Sequence, residues 1–322
     1  MSDRIDRRGF LAAGAGLAAA GGLAACGSSG SGSSASGSAP AAGRDGVSTA
    51  TPKKGGQVVF GTESEDNSFD PASGQWDETG VMYARTVFDP LTIIAADGSV
   101  QPYLAQSVTA NADHSVWTIT ARPGVVFHDG TPCDGPAIAA SMNHFLTGLL
   151  GFVIHKPIKS VVATDASTVT VTLNQPWVPF DAYLAGNIGG QIGYVVAPAM
   201  IQAAAQAKGQ TLVKPIGTGP FVYKEWIPND HFTAVRNQHY WRSGYPYLDQ
   251  ITFRPIVDPH QRANSLQSGT VDIIHTDVAD IMQQYQNNQA YGFVYDLDKI
   301  TGEPDMDPVS YTHLTLPTNR EV

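Results

Sequence analysis

Alternation of apolar and polar residues predicts strands along much of the chain. Val116–Ala121 alternates in side-chain size and polarity, as a strand with one buried face does. Thr168–Leu173 alternates Thr with Val and Leu, and with the preceding residues it predicts a β-hairpin over 158–173 that turns at Asp165. Further strands are predicted at residues 55–61, 221–226, 232–235, 249–256 and 271–274.

A stripe of apolar residues at helical spacing predicts a helix after residue 134. Its members are Ile138, Met142, Phe145, Leu146 and Leu149. Asp134 or Thr131 can cap its first turn. Asp258, which precedes a proline, predicts the start of another helix, and Gly269 predicts its end. Other helices are predicted at residues 79–87, 199–208 and 277–287.

The first 25 residues are predicted to be a twin-arginine signal peptide. Arg7 and Arg8 precede an apolar run that is too short and too rich in glycine for a membrane span. Residues 23–26 read Leu-Ala-Ala-Cys and resemble a bacterial lipobox. We therefore expect cleavage before Cys26 and a lipid on its sulfur. The alternatives are a plain signal anchor or a wrongly assigned start site.

Residues 26–54 are predicted to be a flexible tether. They consist mainly of Gly, Ser, Ala and Thr and offer too little apolar bulk to fold. Behind a lipid on Cys26, such a segment would let a folded domain stand away from the bilayer.

Composition and charge limit the architecture and the partners. The chain has 322 residues, 42% of them hydrophobic, which suffices for one large or two ordinary domains. Its formal net charge of -10 argues against nucleic acid as a partner. If Cys26 carries lipid, Cys133 is the one remaining thiol of the two cysteines, so an internal disulfide is excluded.

The sequence carries no constellation of residues that points to catalysis. No nucleophile elbow or phosphate-binding loop occurs in the part predicted to fold. The nine histidines are scattered and have no partner at metal-site spacing. His128, His144 and His155 are expected in turns or at the surface. Binding, without a cofactor or a resident metal, is therefore favoured over catalysis.

Four motifs follow one another in the second half of the chain. They are Gly217-Thr218-Gly219-Pro220, Asn237-Gln238-His239-Tyr240-Trp241, Pro246-Tyr247-Leu248-Asp249 and Leu266-Gln267-Ser268-Gly269-Thr270-Val271-Asp272-Ile273. In this order they resemble the family 5 extracytoplasmic solute-binding proteins, the peptide- and nickel-type receptors of ABC importers. Tyr240 and Trp241 lie within the motifs that build the first lobe of that family and are expected in the core.

The resemblance implies an α/β fold, the two-lobed periplasmic-binding-protein type II fold. Residues 55–88 and 206–275 would form lobe I, residues 89–205 would be a subdomain inserted in it, and residues 276–308 would start lobe II. Residues 309–322 resemble translated sequencing-adapter sequence and are expected to be foreign to the protein. The second lobe is therefore expected to be largely missing.

The resemblance also implies a receptor and not an enzyme. A monomer would lie outside the cytoplasm, anchored to the outer face of the cell membrane through Cys26. It would capture short peptides and pass them to the permease subunits of an ABC importer for transmembrane transport. The alternatives are a nickel-chelate or oligosaccharide receptor of the same fold, an exported lipoprotein enzyme, or a scaffold without a ligand.

The acidic loop after the first strand is the expected ligand wall. Residues 63–71 carry four carboxylates in nine positions, and the corresponding loop of the family lines the binding cleft. The candidate ligand-binding residues are Glu63, Ser64, Glu65 and Asp70. The carboxylates of Glu63 and Glu65 would suit a cationic ligand terminus. The alternative is an acidic loop that is only solvated.

Overall fold

Two β-sheets carry much of the part of the chain that the structure describes. This structure is a computed structural model that describes residues 52–95, 97–151, 156–186, 190–207, 213–286, 291–295 and 312–315. The predicted signal peptide, Cys26, His155 and nearly all of the predicted tether lie outside these ranges. No helix within them is long and apolar enough to cross a membrane.

The larger sheet is built around β1 (Gln57–Thr62). β1 pairs in parallel with β10 (Gln250–Pro255) on one side and with β11 (Ile273–Thr276) on the other. Their β-branched and aromatic residues suit a sheet that is covered by helices. Because the three strands run in the same direction, their carboxyl ends share one edge of the sheet, where α/β proteins bind ligands.

Antiparallel strands complete this sheet on both sides. β9 (His231–Arg236) and β8 (Phe221–Ile227) follow β10, and β13 (Thr312–Thr315) and β12 (Gly292–Tyr295) follow β11. The predicted strands of this sheet are confirmed to within a few residues at their ends. β13 lies in the segment that the sequence predicts to be foreign, and the predicted domain boundaries stay predictions.

The smaller sheet has four antiparallel strands in the order β4, β5, β7, β6. These are β4 (Ala105–Ala110), β5 (Val116–Ala121), β6 (Ile158–Ala163) and β7 (Thr168–Leu173). β5 and β7 alternate between buried and half-buried residues, which confirms the predicted pattern and the predicted hairpin. A short hairpin of β2 (Thr92–Ile94) and β3 (Val100–Pro102) precedes this sheet.

Side-chain caps explain where several helices begin. The helices are α1 (Glu78–Val87), α2 (Gly135–Leu146), α3 (Phe180–Tyr183), α4 (Pro198–Ala207), α5 (Pro259–Gln267) and α6 (Ala279–Gln286). Asp77, Asp134 and Asp258 each accept a hydrogen bond from a backbone N–H in the first turn of α1, α2 and α5. The predicted caps of α2 and α5 are confirmed. The predicted stripe is wrong at Leu149, which lies beyond α2 and is 52% exposed.

Two large hydrophobic clusters meet where the chain leaves α1. One cluster lies between the smaller sheet and α2, and the other lies between the larger sheet, α1 and α4. At their junction Gly219 donates its N–H to the carbonyl of Val87 at 2.9 Å. A Cβ atom on Gly217 would lie 2.2 Å from the same carbonyl oxygen. The glycines of the Gly-Thr-Gly motif are therefore required by close packing.

A buried carboxylate lies at this junction. Asp89, which is 2% exposed, accepts hydrogen bonds from Thr218 Oγ1 at 2.9 Å, Tyr240 Oη at 3.0 Å and Trp241 Nε1 at 2.8 Å. Burial raises the pKa of Asp89, and the three donors oppose that shift. Tyr240 and Trp241 are only partly buried, so their predicted core position is wrong. Their polar atoms donate to Asp89, and Trp241 packs against the margin of the cluster at the smaller sheet.

Candidate functional site

Glu63 lies at the edge of the larger sheet where the parallel strands end. It directly follows β1, and His275 lies near the end of the neighbouring strand β11. His275 Nδ1 is hydrogen-bonded to Glu63 Oε1, and Arg262 Nη2 lies 3.8 Å from the same oxygen. This arrangement joins β1, β11 and α5 through one acidic and two basic side chains.

Arg262 is held in place by backbone carbonyls. Its side chain is 2% exposed, its Nε donates to the carbonyl of His275 at 2.8 Å, and its Nη1 donates to the carbonyl of Ile256 at 2.6 Å. A buried guanidinium needs such acceptors because it cannot lose its charge in a protein. Arg262 therefore supplies a fixed positive charge beside Glu63.

The electrostatic environment of Glu63 favours the ionised carboxylate. The hydrogen bond from His275 and the positive charges of His275 and Arg262 lower the pKa of Glu63, although partial burial opposes the shift. The side chain is 34% exposed, and no described residue donates to its Oε2. Glu63 can therefore accept a hydrogen bond from a solute at this edge while its charge is balanced from behind.

Ser64 connects the acidic loop to α1. Its hydroxyl donates to Asp77 Oδ2 at 2.7 Å, and its carbonyl accepts from Thr62 Oγ1 at 3.0 Å. Since Asp77 is also the N-cap of α1, Ser64 fixes the distance between the end of β1 and that helix. Its predicted contact with a ligand stays a prediction.

Glu65 is turned toward the hairpin of β8 and β9. Its Oε1 accepts from Trp226 Nε1 at 2.7 Å, and its Oε2 accepts from the backbone N–H of Asn229 at 2.8 Å. Both carboxylate oxygens are thus bonded within the protein. Glu65 clamps the loop to the hairpin, and any contact with a ligand would compete with these bonds.

Asp70 connects the same loop to α2. It is 5% exposed, and its Oδ1 lies 2.8 Å from His144 Nε2 and accepts from the backbone N–H of Ala72 at 3.1 Å. Although burial acts to raise it, these bonds hold the pKa of Asp70 below its ordinary value. His144 is therefore an internal partner on a helix, and its predicted place in a turn or at the surface is wrong.

The structure does not bring the four predicted site residues together. Glu63 alone lies beside the cationic pair at the sheet edge, whereas Ser64, Glu65 and Asp70 each hold the loop to a different element. Whether any of them contacts a ligand stays a prediction. Within the described ranges, no group of three or more His, Cys, Asp or Glu residues could hold a metal ion.

Arg262 and His275 are site residues that the sequence analysis missed. Arg262 precedes Leu266 by four positions on α5, so the two share a helix face, and Leu266 is fully buried. That spacing could have placed Arg262 on the buried face. His275 had no comparable signal, because only the register of β11 against β1 brings it to Glu63.

Asp66 is a second buried carboxyl of the loop that the sequence did not distinguish. Its Oδ1 accepts from the backbone N–H groups of Asn67 at 2.6 Å and Ser68 at 3.3 Å. Its Oδ2 is buried and has no hydrogen-bond partner among the described residues. Burial, with a smaller effect of the charges of Asp77 and Glu65, raises the pKa of Asp66 to about 7. A protonated Asp66 fits this environment better than an ionised one.

A family comparison assigns most of the chain. Residues 99–321 match the family described as "Bacterial extracellular solute-binding proteins, family 5 Middle". Among curated proteins, the glutathione-binding protein GsiB of Salmonella paratyphi A is 32% identical over 221 residues, and the nickel-binding periplasmic protein of Escherichia coli K12 is 31% identical over 222 residues. These alignments cover 66% and 65% of this chain and 40% of each relative. The chain thus spans about two fifths of the relatives' length.

Solved structures show the same fold. AgaA of A. tumefaciens R10, in complex with agropinic acid, superposes with a TM-score of 0.67 at 26% identity, over 74% of this chain and 47% of that chain. DppA of Helicobacter pylori, in complex with the peptide STSA, superposes with a TM-score of 0.64 at 24% identity, over 76% of this chain and 51% of that chain. The expected α/β fold of the periplasmic-binding-protein type II is confirmed, and the chain belongs to the family 5 bacterial extracellular solute-binding proteins.

Proposed function

We propose that the protein captures short peptides for an ABC importer and that Glu63 forms part of the ligand wall. The observation that carries this proposal is the half-open carboxylate of Glu63 at the carboxyl ends of parallel strands, with Arg262 and His275 behind it. This is the edge at which open α/β sheets receive ligands. A carboxylate with one oxygen accessible suits the N–H donors of a peptide, including its amino terminus.

The similarity to GsiB supports this ligand class. GsiB is a glutathione-binding protein, and glutathione is a small peptide. Family membership supports a partnership with the permease of an ABC importer and a place outside the cytoplasm. Because these relatives bind solutes, the family also supports a binding protein and not an enzyme.

The ligand proposal is tested by a titration of the full chain followed by NMR. We expect di- to pentapeptides with a free amino terminus to shift the signals of Gly61, Glu63 and His275. Glu63→Gln should weaken binding about tenfold, because a neutral acceptor replaces a charged one. Glu225→Gln is the matched control, because Glu225 lies on β8 and its side chain is 45% exposed.

Two results would contradict the assignment of Glu63. One is equal binding of amino-acetylated and free peptides, with Glu63→Gln unchanged from the wild type. The other is a set of shifts that maps away from the carboxyl ends of β1 and β11. Either result would leave the fold assignment intact and would remove Glu63 from the ligand wall.

A nickel chelate is the second candidate ligand. His275 lies at the same edge as Glu63, and one curated relative is a nickel-binding periplasmic protein. Imidazole is a good ligand for nickel, but His275 is 4% exposed and its Nδ1 is bonded to Glu63, so its side chain would have to turn outward to coordinate a metal that arrives already chelated. Nickel with free histidine, added in the same titration, distinguishes the candidates. If this complex broadens the NMR signals around His275 and peptides shift no signals, the chelate is favoured.

We also propose that the protein is a lipid-anchored monomer on the outer face of the cell membrane. The arginine pair, the apolar run and Cys26 support export by the twin-arginine route and lipidation. Cys26→Ala should leave export unchanged and abolish the incorporation of labelled palmitate, whereas Arg7→Lys combined with Arg8→Lys should stall export. Continued palmitate labelling of Cys26→Ala would exclude Cys26 as the lipid site.

A further inference from the structure

A polar cavity lies at the opposite edge of the larger sheet from Glu63. It has a volume of about 380 Å³, and its wall includes Lys54, Arg236 and Arg242. Lys54 precedes β1, Arg236 ends β9, and Arg242 lies in the segment that leads to β10. Since β1 has six residues and a strand rises about 3.3 Å per residue, this cavity and Glu63 are separated by roughly 20 Å. The cavity is thus distinct from the proposed ligand wall.

The wall of the cavity carries positive charge in a chain whose net charge is -10. No described Asp or Glu lines it. Arg236 is neutralised from outside the wall by Asp249, with 2.7 Å between Nη2 and Oδ1. Lys54 forms no ion pair or hydrogen bond with any described residue, and no described carboxylate lies within ion-pair distance of Arg242, although the buried Asp89 acts on Arg242 from further away. Both cations can therefore pair directly with an anion in the cavity.

Arg242 is held in an orientation suited to anion binding. Its guanidinium lies 5.2 Å from the ring centre of Tyr103 and 4.8 Å from that of Tyr245, and its Nη1 donates to Tyr103 Oη at 3.0 Å. Stacking between aromatic rings fixes the plane of a guanidinium and leaves its other N–H groups for an acceptor. The side chains of Gln238 and Ser243 also line the cavity and bond to no described residue, so they add neutral donors.

We infer that this cavity binds a phosphate group. Two cations without a direct ion-pair partner among the described residues suit a phosphate. A guanidinium fixed in its plane can donate two parallel hydrogen bonds to phosphate oxygens, and the amide of Gln238 and the hydroxyl of Ser243 can bind the remaining oxygens. The phosphate can belong to a free solute or to a lipid headgroup, since the recognition chemistry is the same.

Two binding measurements on the full chain distinguish these sources. Inorganic phosphate is titrated by calorimetry, and flotation measures binding to phosphatidylcholine vesicles with and without phosphatidylglycerol. Lys54→Gln and Arg242→Gln should each weaken the binding about tenfold, because each removes a charge-assisted bond. Lys224→Gln is the matched control: Lys224 is an exposed lysine on β8 outside the cavity. Lys54 is exposed and unbonded, so its variant tests the site without risk to folding.

Saturable binding of inorganic phosphate that both variants weaken supports the site with a free phosphate as its ligand. Binding to phosphatidylglycerol vesicles alone, weakened by both variants, supports a lipid phosphate. Absence of both kinds of binding, or binding that Lys54→Gln leaves at the level of Lys224→Gln, overturns the inference.

Discussion

The carboxylates of Glu63 and Asp89 each join distant parts of the chain, but in opposite electrostatic environments. Asp89 is 2% exposed and accepts hydrogen bonds from Thr218, Tyr240 and Trp241, all of them neutral. Glu63 is 34% exposed and faces two basic side chains. Burial raises the pKa of Asp89, whereas the hydrogen bond from His275 lowers the pKa of Glu63.

The difference shows which carboxylate can exchange partners. All three donors of Asp89 would lose their acceptor if it moved, and the junction of the two hydrophobic clusters would open. Glu63 has an oxygen that no described residue uses, and its charge is balanced by Arg262 whether or not a solute is present. Asp89 is therefore suited to stabilising the fold, and Glu63 is suited to binding a solute.

The largest expected effect is that of Asp89→Ala. It leaves one N–H and two O–H donors without their acceptor in a water-poor region, so the free energy of unfolding should fall by about 3–5 kcal/mol. Equilibrium unfolding in urea measures the change. Asp89→Asn, which keeps the shape and one acceptor, should lose less. A loss below about 1 kcal/mol for the alanine variant would show that Asp89 does not hold the junction together.

Asp66→Asn should give the next largest effect, and it depends on pH. An aspartate has an unfolded pKa near 3.9, and burial raises the pKa of Asp66 to about 7 in the fold. The stabilisation by this group is complete below the unfolded pKa and is lost as the pH rises through the folded pKa. We expect the wild type to lose about 2–4 kcal/mol more than Asp66→Asn between pH 4 and pH 8.

Urea unfolding at pH 4 and pH 8 tests the Asp66 prediction. Asp280→Asn serves as the control, because Asp280 is an exposed carboxylate on α6. If the unfolding free energies of wild type and Asp66→Asn change in parallel between these pH values, Asp66 is ionised in the fold and the prediction fails.

Glu63→Gln should have the smallest effect on stability, below about 1 kcal/mol, because a third of the side chain is exposed to solvent. The pH dependence has the opposite sign to that of Asp66. A lowered folded pKa means that the stabilisation is present above the unfolded pKa and is lost as the pH falls through the folded pKa. Melting temperatures of variant and wild type should therefore differ at pH 7 and converge in acid. A loss of several kcal/mol at pH 7 would assign Glu63 a structural role like that of Asp89.

The features that were predicted correctly depend on short-range chemistry. Asp134 and Asp258 cap helices through bonds to residues three positions away, and the hairpin of β6 and β7 turns within a few residues. Such patterns are visible in the sequence because the residues that interact are neighbours along the chain. The fold as a whole was predicted from the four motifs that resemble those of the family.

The features that were missed depend on contacts between distant residues. The bond from Trp226 to Glu65 spans 161 positions, and the contact of His275 with Glu63 spans 212. Nothing in the sequence near Glu65 shows that a tryptophan on a distant strand donates a hydrogen bond to its carboxylate. Likewise, the acidic loop gives no local sign that Asp66 is buried and Glu63 half-exposed, since only the packing of the loop decides this.

The position of β1 has a consequence for the order in which the protein folds. Two hydrogen bonds beside β1 join residues that are far apart in the sequence: one spans 193 positions and the other spans 213. β1 therefore cannot pair with both of its neighbouring strands until the chain is complete to about residue 276. The smaller sheet needs only residues 105–173 and closes much shorter loops. Loop-closure entropy makes distant pairings slow. We therefore expect the smaller sheet to form first during synthesis, while β1 waits as an unpaired apolar segment that a chaperone can bind.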